Sequence, residues 1–379
     1  MVAVAMSGGV DSSVAIFLLL KKGYNVFGLT MRLGEFSEPA IQNAKGVCRK
    51  LEVKHYVVDF EKEFKKRIIN PFCRSYFQGV TPNPCVWCNE KIKFGLLLRA
   101  AGKLGADYLA TGHYARLRRE IPNSKCQVPN KFKIINSKNQ TIYRLLKAKD
   151  KTRDQSYFLY RLKQSQLRKI IFPLGNLTKN EVKKIAMENG LIVGKQRESR
   201  EICFVPDNNY QSFLKKCDSR KLKPGPIKDL RGNVLGEHRG LALYTIGQRK
   251  GLVGGRGKPF YVVKIDKKNN AVIVGQEKIL PSRRNFWSEG LFQRRFIVKN
   301  INLLNKRKIK KGGKIMVKVR SQHPGVLARI SGWIFSTKEL KIKFKIPQRA
   351  LAPGQSAVFY SGNEVLGGGI IKKSKNIIL

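Results

Sequence analysis

The sequence predicts an α/β protein: a parallel sheet covered on both faces in the first part of the chain, then a mostly β remainder. Three observations predict it. Short apolar runs alternate with helical stretches up to about residue 190. The 379 residues leave room for two or three domains at about 150 residues each. Beyond about residue 200, Gly, Pro and Asn pairs punctuate short Val, Ile and Phe segments.

The elements follow in order. Val2-Ala3-Val4-Ala5-Met6 reads as a buried strand, Ser7 to Ser13 as a loop, and Val14 to Leu20 as an apolar helix that stops at Gly23. A second strand is expected at Val26 to Met31, a helical stretch at about residues 40–51, and strands at Tyr56-Val57-Val58 and Tyr108-Leu109-Ala110. Thr178 and Glu181 have the spacing of a capping box, and Gly190 closes the helix behind them. Pro224-Gly225-Pro226, Asn269-Asn270 and Gly312-Gly313 then separate segments such as Phe260 to Ile265 and Ala271 to Val274. Boundaries near 200 and 280 give domains 1–200, 201–280 and 281–379.

Charge narrows the partners. The chain carries 76 Lys and Arg against 25 Asp and Glu, a net charge of +51, so nucleic acid is the leading partner. Residues 1–60 hold 7 basic and 5 acidic groups, whereas residues 281–379 hold 22 and 3, which concentrates the positive field in the tail. An Ile- and Asn-rich tail also suggests drift toward A and T in the codons, which would supply part of the excess. The 42% hydrophobic content is an ordinary globular load. No apolar run approaches the roughly 18–20 residues of a membrane span. Seven widely spread Cys suggest a reducing compartment. The expectation is a cytoplasmic protein without a leader or a membrane partner.

Chemistry enters at Ser7-Gly8-Gly9-Val10-Asp11-Ser12-Ser13. Gly8 and Gly9 allow a tight turn and close approach of the backbone to a ligand, and the N-terminus of the following helix favours an anion. Ser7, Ser12 and Ser13 add hydroxyls, while Asp11 is expected to orient the loop or to hold a Mg2+ ion that bridges phosphates. A glycine turn with a Ser/Asp helix cap is the plainer alternative. Neither a Walker A sequence nor G-x-G-x-x-G after a strand occurs in the chain. The heptad resembles the PP-loop of ATP pyrophosphatases, which cut ATP between its α- and β-phosphates.

The second cluster is Thr81-Pro82-Asn83-Pro84-Cys85-Val86-Trp87-Cys88-Asn89, a proline-stiffened segment that offers two thiols three positions apart. A closed zinc site needs four ligands, and no second Cys-x-x-Cys or close His pair supplies them. Cys203, in Glu201-Ile202-Cys203-Phe204-Val205, is the natural third sulfur. Cys48, Cys73, Cys126 and Cys217 read as inert buried thiols.

Seven segments then form one pattern: Met6 to Val14; Thr81 to Asn89; Ala110-Thr111-Gly112-His113-Tyr114; Asp154 to Leu159; Ile202-Cys203-Phe204; Gly240 to Leu252 around Tyr244-Thr245-Ile246-Gly247-Gln248-Arg249-Lys250-Gly251; and Ala352 to Tyr360. In this order they resemble the tRNA-specific 2-thiouridylase (MnmA) family nearly end to end. The resemblance implies an N-terminal PP-loop domain, a small central domain and a C-terminal β-barrel that helps hold tRNA. It implies ATP with Mg2+, and as substrate the wobble uridine (position 34) of the tRNAs for Lys, Glu and Gln. The 2-oxygen of that uridine is adenylated and then replaced by sulfur, which a persulfide-carrying donor protein brings.

Carried onto this chain, the resemblance gives Met6, Ser7, Gly8, Gly9, Val10, Asp11, Ser12, Ser13, Met31 and Gly112 to the nucleotide. Cys203 would bear the persulfide and Cys88 would be the nucleophile that releases its sulfur, leaving a Cys88–Cys203 disulfide. Both thiols are expected to be more acidic than free Cys in so positive a setting. tRNA contacts fall on Asn83, Pro84, Cys85, His113, Arg153, Asp154, Gln155, Arg320, Ser321 and Gln355. Gly254 to Lys258 is either a basic loop on the RNA or a plain hairpin turn. Many members carry Asp where this chain has Cys85, so the same reaction through an iron–sulfur cluster held by Cys85, Cys88 and Cys203 is the alternative. A PP-loop ligase acting on a small molecule would leave the cysteines unexplained, and a non-catalytic RNA-binding protein would leave Ser7 to Ser13 idle.

Overall fold

A computed structural model describes residues 1–121, 141–191, 202–252, 259–279, 286–288 and 290–372. The expected boundaries near 200 and 280, Cys126 and the Gly254–Lys258 segment lie outside the described residues.

Strands β1 (Val2–Ala5), β2 (Val26–Arg32), β3 (His55–Asp59) and β4 (Tyr108–Thr111) pair in parallel. An antiparallel pair, β5 (Ala115–Glu120) and β6 (Ile142–Lys147), precedes the short strand β7 (Ile170–Ile171), and the first sheet has the order β3-β2-β1-β4-β7. Val2, Ala3 and Val4 are at most 1% exposed, as expected of a central strand covered on both faces. Helix α1 (Val10–Lys21) begins four residues before the expected Val14, because Asp11, Ser12 and Ser13 form its first turn. Helix α2 (Glu38–Lys50) buries Ile41, Ala44, Val47 and Cys48 along one face. The chain leaves β1 for β2 on one side and β4 lies on the other, so ligands are expected where the strand order reverses, at the carboxyl ends.

Residues 61–77 and 84–103 are helical, with Lys65–Ile69 and Asn89–Leu97 wound as π-helix. These segments share an aromatic core with residues 204–214: Phe72 meets Phe204 edge to face at 5.2 Å, and Tyr76 stacks on Tyr210 at 4.9 Å. One expectation fails here. Cys73 and Cys217 are not separate inert thiols but are joined sulfur to sulfur, because that aromatic packing lays helix Tyr210–Asp218 against helix Asn70–Phe77. Cys48 is buried and free as expected.

The central sheet comprises β8 (Gly225–Lys228), β9 (Val234–His238), β10 (Phe260–Asp266), β11 (Ala271–Ile279) and β12 (Phe286–Ser288) around Ile227, Val262, Ile265 and Val272. The last sheet holds β13 (Phe292–Leu303), β14 (Lys314–Lys318), β15 (Val326–Ile334), β16 (Glu339–Arg349), β17 (Ser356–Ser361) and β18 (Glu364–Ile371). β13 pairs with both β16 and β18, which closes these six strands into a barrel. β6 adds to β18 at Glu364↔Leu146, so the β5–β6 pair extends the barrel's sheet.

The Asp154–Leu159 motif fastens the barrel to the parallel sheet. Tyr157 Oη donates to Ser356 O at 2.9 Å, and the Tyr160 hydroxyl lies 3.2 Å from Ser356 Oγ. Tyr157, Tyr160, Val358 and Tyr360 belong to one buried core with Leu29 and Leu109.

Candidate active site

The phosphate loop leaves β1 at its carboxyl end and turns on Gly8, whose φ is +70°. A Cβ at Gly8 would stand 2.5 Å from Ala40 O, so both the backbone angle and the space demand glycine. The loop is held from within: Ser12 Oγ accepts from Ser7 N at 3.2 Å and donates to Gly9 O at 2.8 Å, and Ser13 Oγ donates to Gly9 O at 3.1 Å. Gly9 caps α1 without a side-chain acceptor, so the first-turn amides face outward as an anion site would need. Gly112, just past β4, lies against this backbone, where a Cβ would meet Asp11 C at 2.9 Å and Ser12 N at 3.0 Å. Met6 is buried beneath the loop, and Met31 is the last residue but one of β2.

Asp11 is clamped. Its Oδ1 accepts from Tyr114 Oη at 2.8 Å and from Lys179 Nζ at 2.7 Å. Lys179 is 8% exposed and opens the helix Lys179–Glu188 behind the Thr178–Glu181 capping box, which forms as expected. Tyr114 and Lys179 complete the loop; Tyr114 stands in the Ala110-Thr111-Gly112-His113-Tyr114 motif without an assigned role, and Lys179 has no sequence signal. The capping box located the helix, but nothing local says that its first side chain turns back 168 positions to Asp11.

The thiol segments meet at the aromatic core, where Met31, near the end of β2, and Phe60, just past β3, also pack. Asn83 Oδ1 accepts from Val86 N at 3.4 Å and caps the short helix Pro84–Cys88. Cys88 is buried in this core and Cys85 is half-buried. Phe204 and Val205, at 6% exposure each, anchor the Cys203 segment in the same core and leave the Cys203 side chain exposed. Cys85 and Cys88 both feel the charge of Cys203, and Lys93 acts on all three thiols. The π-helical register brings Lys93, five residues after Cys88, back to this face.

The expected acidity of the thiols is reversed. Burial pushes Cys88 up to about 12 and Cys85 up to about 11, and the opposing pull of Lys93 is the smaller effect. Cys203 reaches solvent, but the protein around it raises it as well. The overall positive charge does not acidify them because desolvation acts at the sulfur while most cations sit in water.

The iron–sulfur alternative also meets its test here. Among the described residues no three His, Cys, Asp or Glu side chains come together as a group able to hold a metal ion. The three cysteines do not fit a cluster, and no step is derived through one.

Of the residues expected to meet RNA, Gln355 touches the segment that carries the paired thiols. Gln355 Nε2 donates to Thr81 O at 3.3 Å and Pro82 O at 3.1 Å, and Thr81 N donates to Pro353 O at 2.9 Å, so the barrel clasps the segment that leads into Asn83-Pro84-Cys85. Arg320 and Ser321 are exposed, and Arg320 Nη1 donates to Arg349 O at 3.3 Å. Gln155 exchanges two 2.9 Å hydrogen bonds with the Tyr114 backbone, which ties the turn of Arg153 to the Thr111–Tyr114 segment. The Asp154 carboxylate is spent inside its own turn on Ala148 N, Ser156 N and Ser156 Oγ. His113 Nδ1 pairs with Thr111 Oγ1 at 2.7 Å, its ring lies 5.7 Å from that of Phe94, and burial holds its pKa well below the usual histidine value. It is a neutral hydrogen-bonding group and not a cation.

Known families match this arrangement along the whole chain. Residues 1–207 match the tRNA methyl transferase HUP domain, 211–276 the tRNA methyl transferase PRC-barrel domain and 293–371 the aminomethyltransferase beta-barrel domain. The tRNA-specific 2-thiouridylase MnmA 2 of Thermoanaerobacter sp. (strain X514) is 43% identical over 98% of both chains. The chain belongs to the MnmA family. The MnmA of Halothermothrix orenii is 41% identical over 98% of this chain and 99% of its own, and that of Roseiflexus castenholzii 40% identical over the same shares. The MnmA match therefore takes in the phosphate loop, both cysteine segments and the barrel clasp together. No helix among the described residues is long and apolar enough to cross a membrane.

Proposed function

We propose that the chain replaces the 2-oxygen of the wobble uridine in the tRNAs for Lys, Glu and Gln with sulfur, at the expense of ATP. One observation carries this reading: the core that holds Cys88 and anchors Cys203 packs on the carboxyl ends of the strands whose first loop is built for phosphates. MnmA membership supports the substrate class, and the +51 charge suits a polyanion.

The uracil 2-oxygen is a poor leaving group. It attacks the α-phosphorus of ATP, the bond to the β-phosphate breaks, and pyrophosphate departs along the loop of Ser7 to Ser13. Mg2+ bound with the ATP would offset the charge of its phosphates. Asp11, fixed by Tyr114 and Lys179, keeps the loop in its open-amide form. Met31 and Gly112 border the adenosine.

A Cys203 persulfide then attacks C2 through its terminal sulfur, and AMP leaves. The Cys88 thiolate attacks Cys203 Sγ, which breaks the sulfur–sulfur bond, leaves sulfur on C2 and forms a Cys88–Cys203 disulfide. A dithiol reductant takes that disulfide back to two thiols. Lys93 holds the thiolate of Cys88 through this step. A separate protein that carries a persulfide is the donor, and the cytoplasm is the compartment. Arg153, Gln155, Arg320, Ser321 and Gln355 hold the RNA while Asn83, Pro84, Cys85 and His113 line the pocket of the flipped base.

The test is pyrophosphate release from labelled ATP. Release that requires tRNA with an unmodified wobble uridine supports the reading. Release without RNA points to a ligase acting on a small molecule, and none under any condition points to an RNA-binding protein without this chemistry.

A further inference from the structure

Across the barrel, four cations stand side by side. The register pairs Lys314 with Arg329, Arg329 with Lys343 and Lys343 with Arg295, so one row crosses β14, β15, β16 and β13. The neighbouring positions Ile315, Ala328, Phe344 and Phe296 are buried in the barrel, which places all four charges on its outer wall. Lys314, Arg329 and Arg295 are exposed and Lys343 is half-buried. None of the four has an ion-pair or side-chain hydrogen-bond partner among the described residues. Their strands carry a single carboxylate, Glu339, and it is buried against Lys372 at 2.9 Å.

Such a row costs stability, because like charges directly opposite on neighbouring strands repel. It is also a regular object. Strands lie about 4.8 Å apart, so four cations extend over about 14 Å, a length that matches a short run of nucleic-acid phosphates. The barrel presents another wall to the parallel sheet through Val358, Tyr360 and Met316, so the row is not a buried domain contact. β16 runs from Lys343 to Arg349, and Arg349 O holds Arg320. Six residues of strand, about 20 Å, therefore separate the row from the end of β16, just before Pro353, whose carbonyl holds Thr81 in the segment that leads to Cys85.

We infer that the row Lys314–Arg329–Lys343–Arg295 is a track for the sugar–phosphate backbone of the RNA substrate, gripping the stem that leads away from the target base without reading its sequence. The inference rests on RNA being the substrate. Phosphate contacts of this kind set affinity and register while base contacts near Cys88 set specificity.

The experiment measures tRNA affinity between 50 and 200 mM salt for the wild-type chain and for the triple variant Arg295→Gln/Arg329→Gln/Lys343→Gln. Loss of three phosphate contacts makes the slope of log affinity against log salt shallower by about 2.7, so the wild type loses about 40-fold more affinity than the variant over that range. The KM for tRNA in pyrophosphate release rises with kcat at saturation held. The free variant is at least as heat-stable as the wild type at low salt, because repulsion has been removed. An unchanged slope with tRNA-dependent release intact overturns the track alone, whereas absent release in the wild type overturns the substrate reading. A fall in melting temperature would mean that the row holds the barrel together and would also overturn the track. Lys343→Gln alone, with an expected slope change of about 0.9, repeats the measurement with the least disturbance.

Discussion

Lys179 Nζ stands 2.7 Å from Asp11 Oδ1, and this contact joins the two ends of the nucleotide site. The ammonium is nearly buried, so its charge is spent within the loop and not in water. Lys179→Met leaves Asp11, among the described residues, with the Tyr114 hydroxyl alone and places a less compensated carboxylate where pyrophosphate must sit. The kcat of pyrophosphate release is expected to fall on the order of 10²-fold, the usual effect of removing one aimed donor. Lys179→Arg should restore part of it, and tRNA affinity measured without ATP should stay within a few-fold. Equal losses in both quantities would show a general folding defect instead.

Gly112→Ala tests the other wall of the loop. The added Cβ meets peptide backbone at 2.9 and 3.0 Å, and backbone cannot swing aside as a flexible side chain would. A destabilisation of about 1–3 kcal/mol is expected from overpacking. The KM for ATP should rise by about tenfold or more as the loop is displaced. Isothermal titration with ATP would check it, and unchanged binding would mean that Gly112 does not border the nucleotide.

The buried thiols set a pH dependence with a definite sign. Cys88 and Cys85 titrate at about 12 and about 11 in the folded chain, against 9.0 when unperturbed. Between these values the unfolded chain has released protons that the folded chain keeps, so stability falls as pH rises. The contribution is whole below about pH 9 and is lost as pH passes 11 to 12. Denaturant midpoints taken from pH 8 to 11 should fall, and Cys88→Ala/Cys85→Ala should flatten the trend. Iodoacetamide at pH 8 should label Cys203 before Cys88, and Lys93→Met should slow labelling of all three thiols.

Much of the sheet was legible because its signals are local. Val2 to Ala5, the glycine turn, the Thr178–Glu181 box and the punctuated β segments each announce themselves within a few residues. The cysteine segments were legible as chemistry for the same reason. What escaped was carried by distant contacts. Lys179 reaches Asp11, Lys93 returns to Cys88 only through a π-helical register, and Cys73 meets Cys217 across 144 positions. Net charge does not foretell the acidity of the thiols, because it is a property of the whole surface, whereas a pKa follows burial at one atom.

Gln355 gives the sharpest separation between holding RNA and holding the protein that holds RNA. Its amide donates to Thr81 O and Pro82 O, so it steadies the segment that ends in Asn83, Pro84 and Cys85 from the barrel side. Gln355→Ala removes two hydrogen bonds, each worth about 1 kcal/mol, and leaves the Thr81 N to Pro353 O bond in place. Gln355→Glu keeps the length but turns a carboxylate toward two carbonyl oxygens, so it should be the worse of the two. If the clasp matters, amide exchange across residues 81–88 quickens in the order wild type, Ala, Glu, and the KM for tRNA rises in the same order. A side chain that only touched RNA would raise KM without changing exchange in the free protein, and that result would remove the clasp from the mechanism.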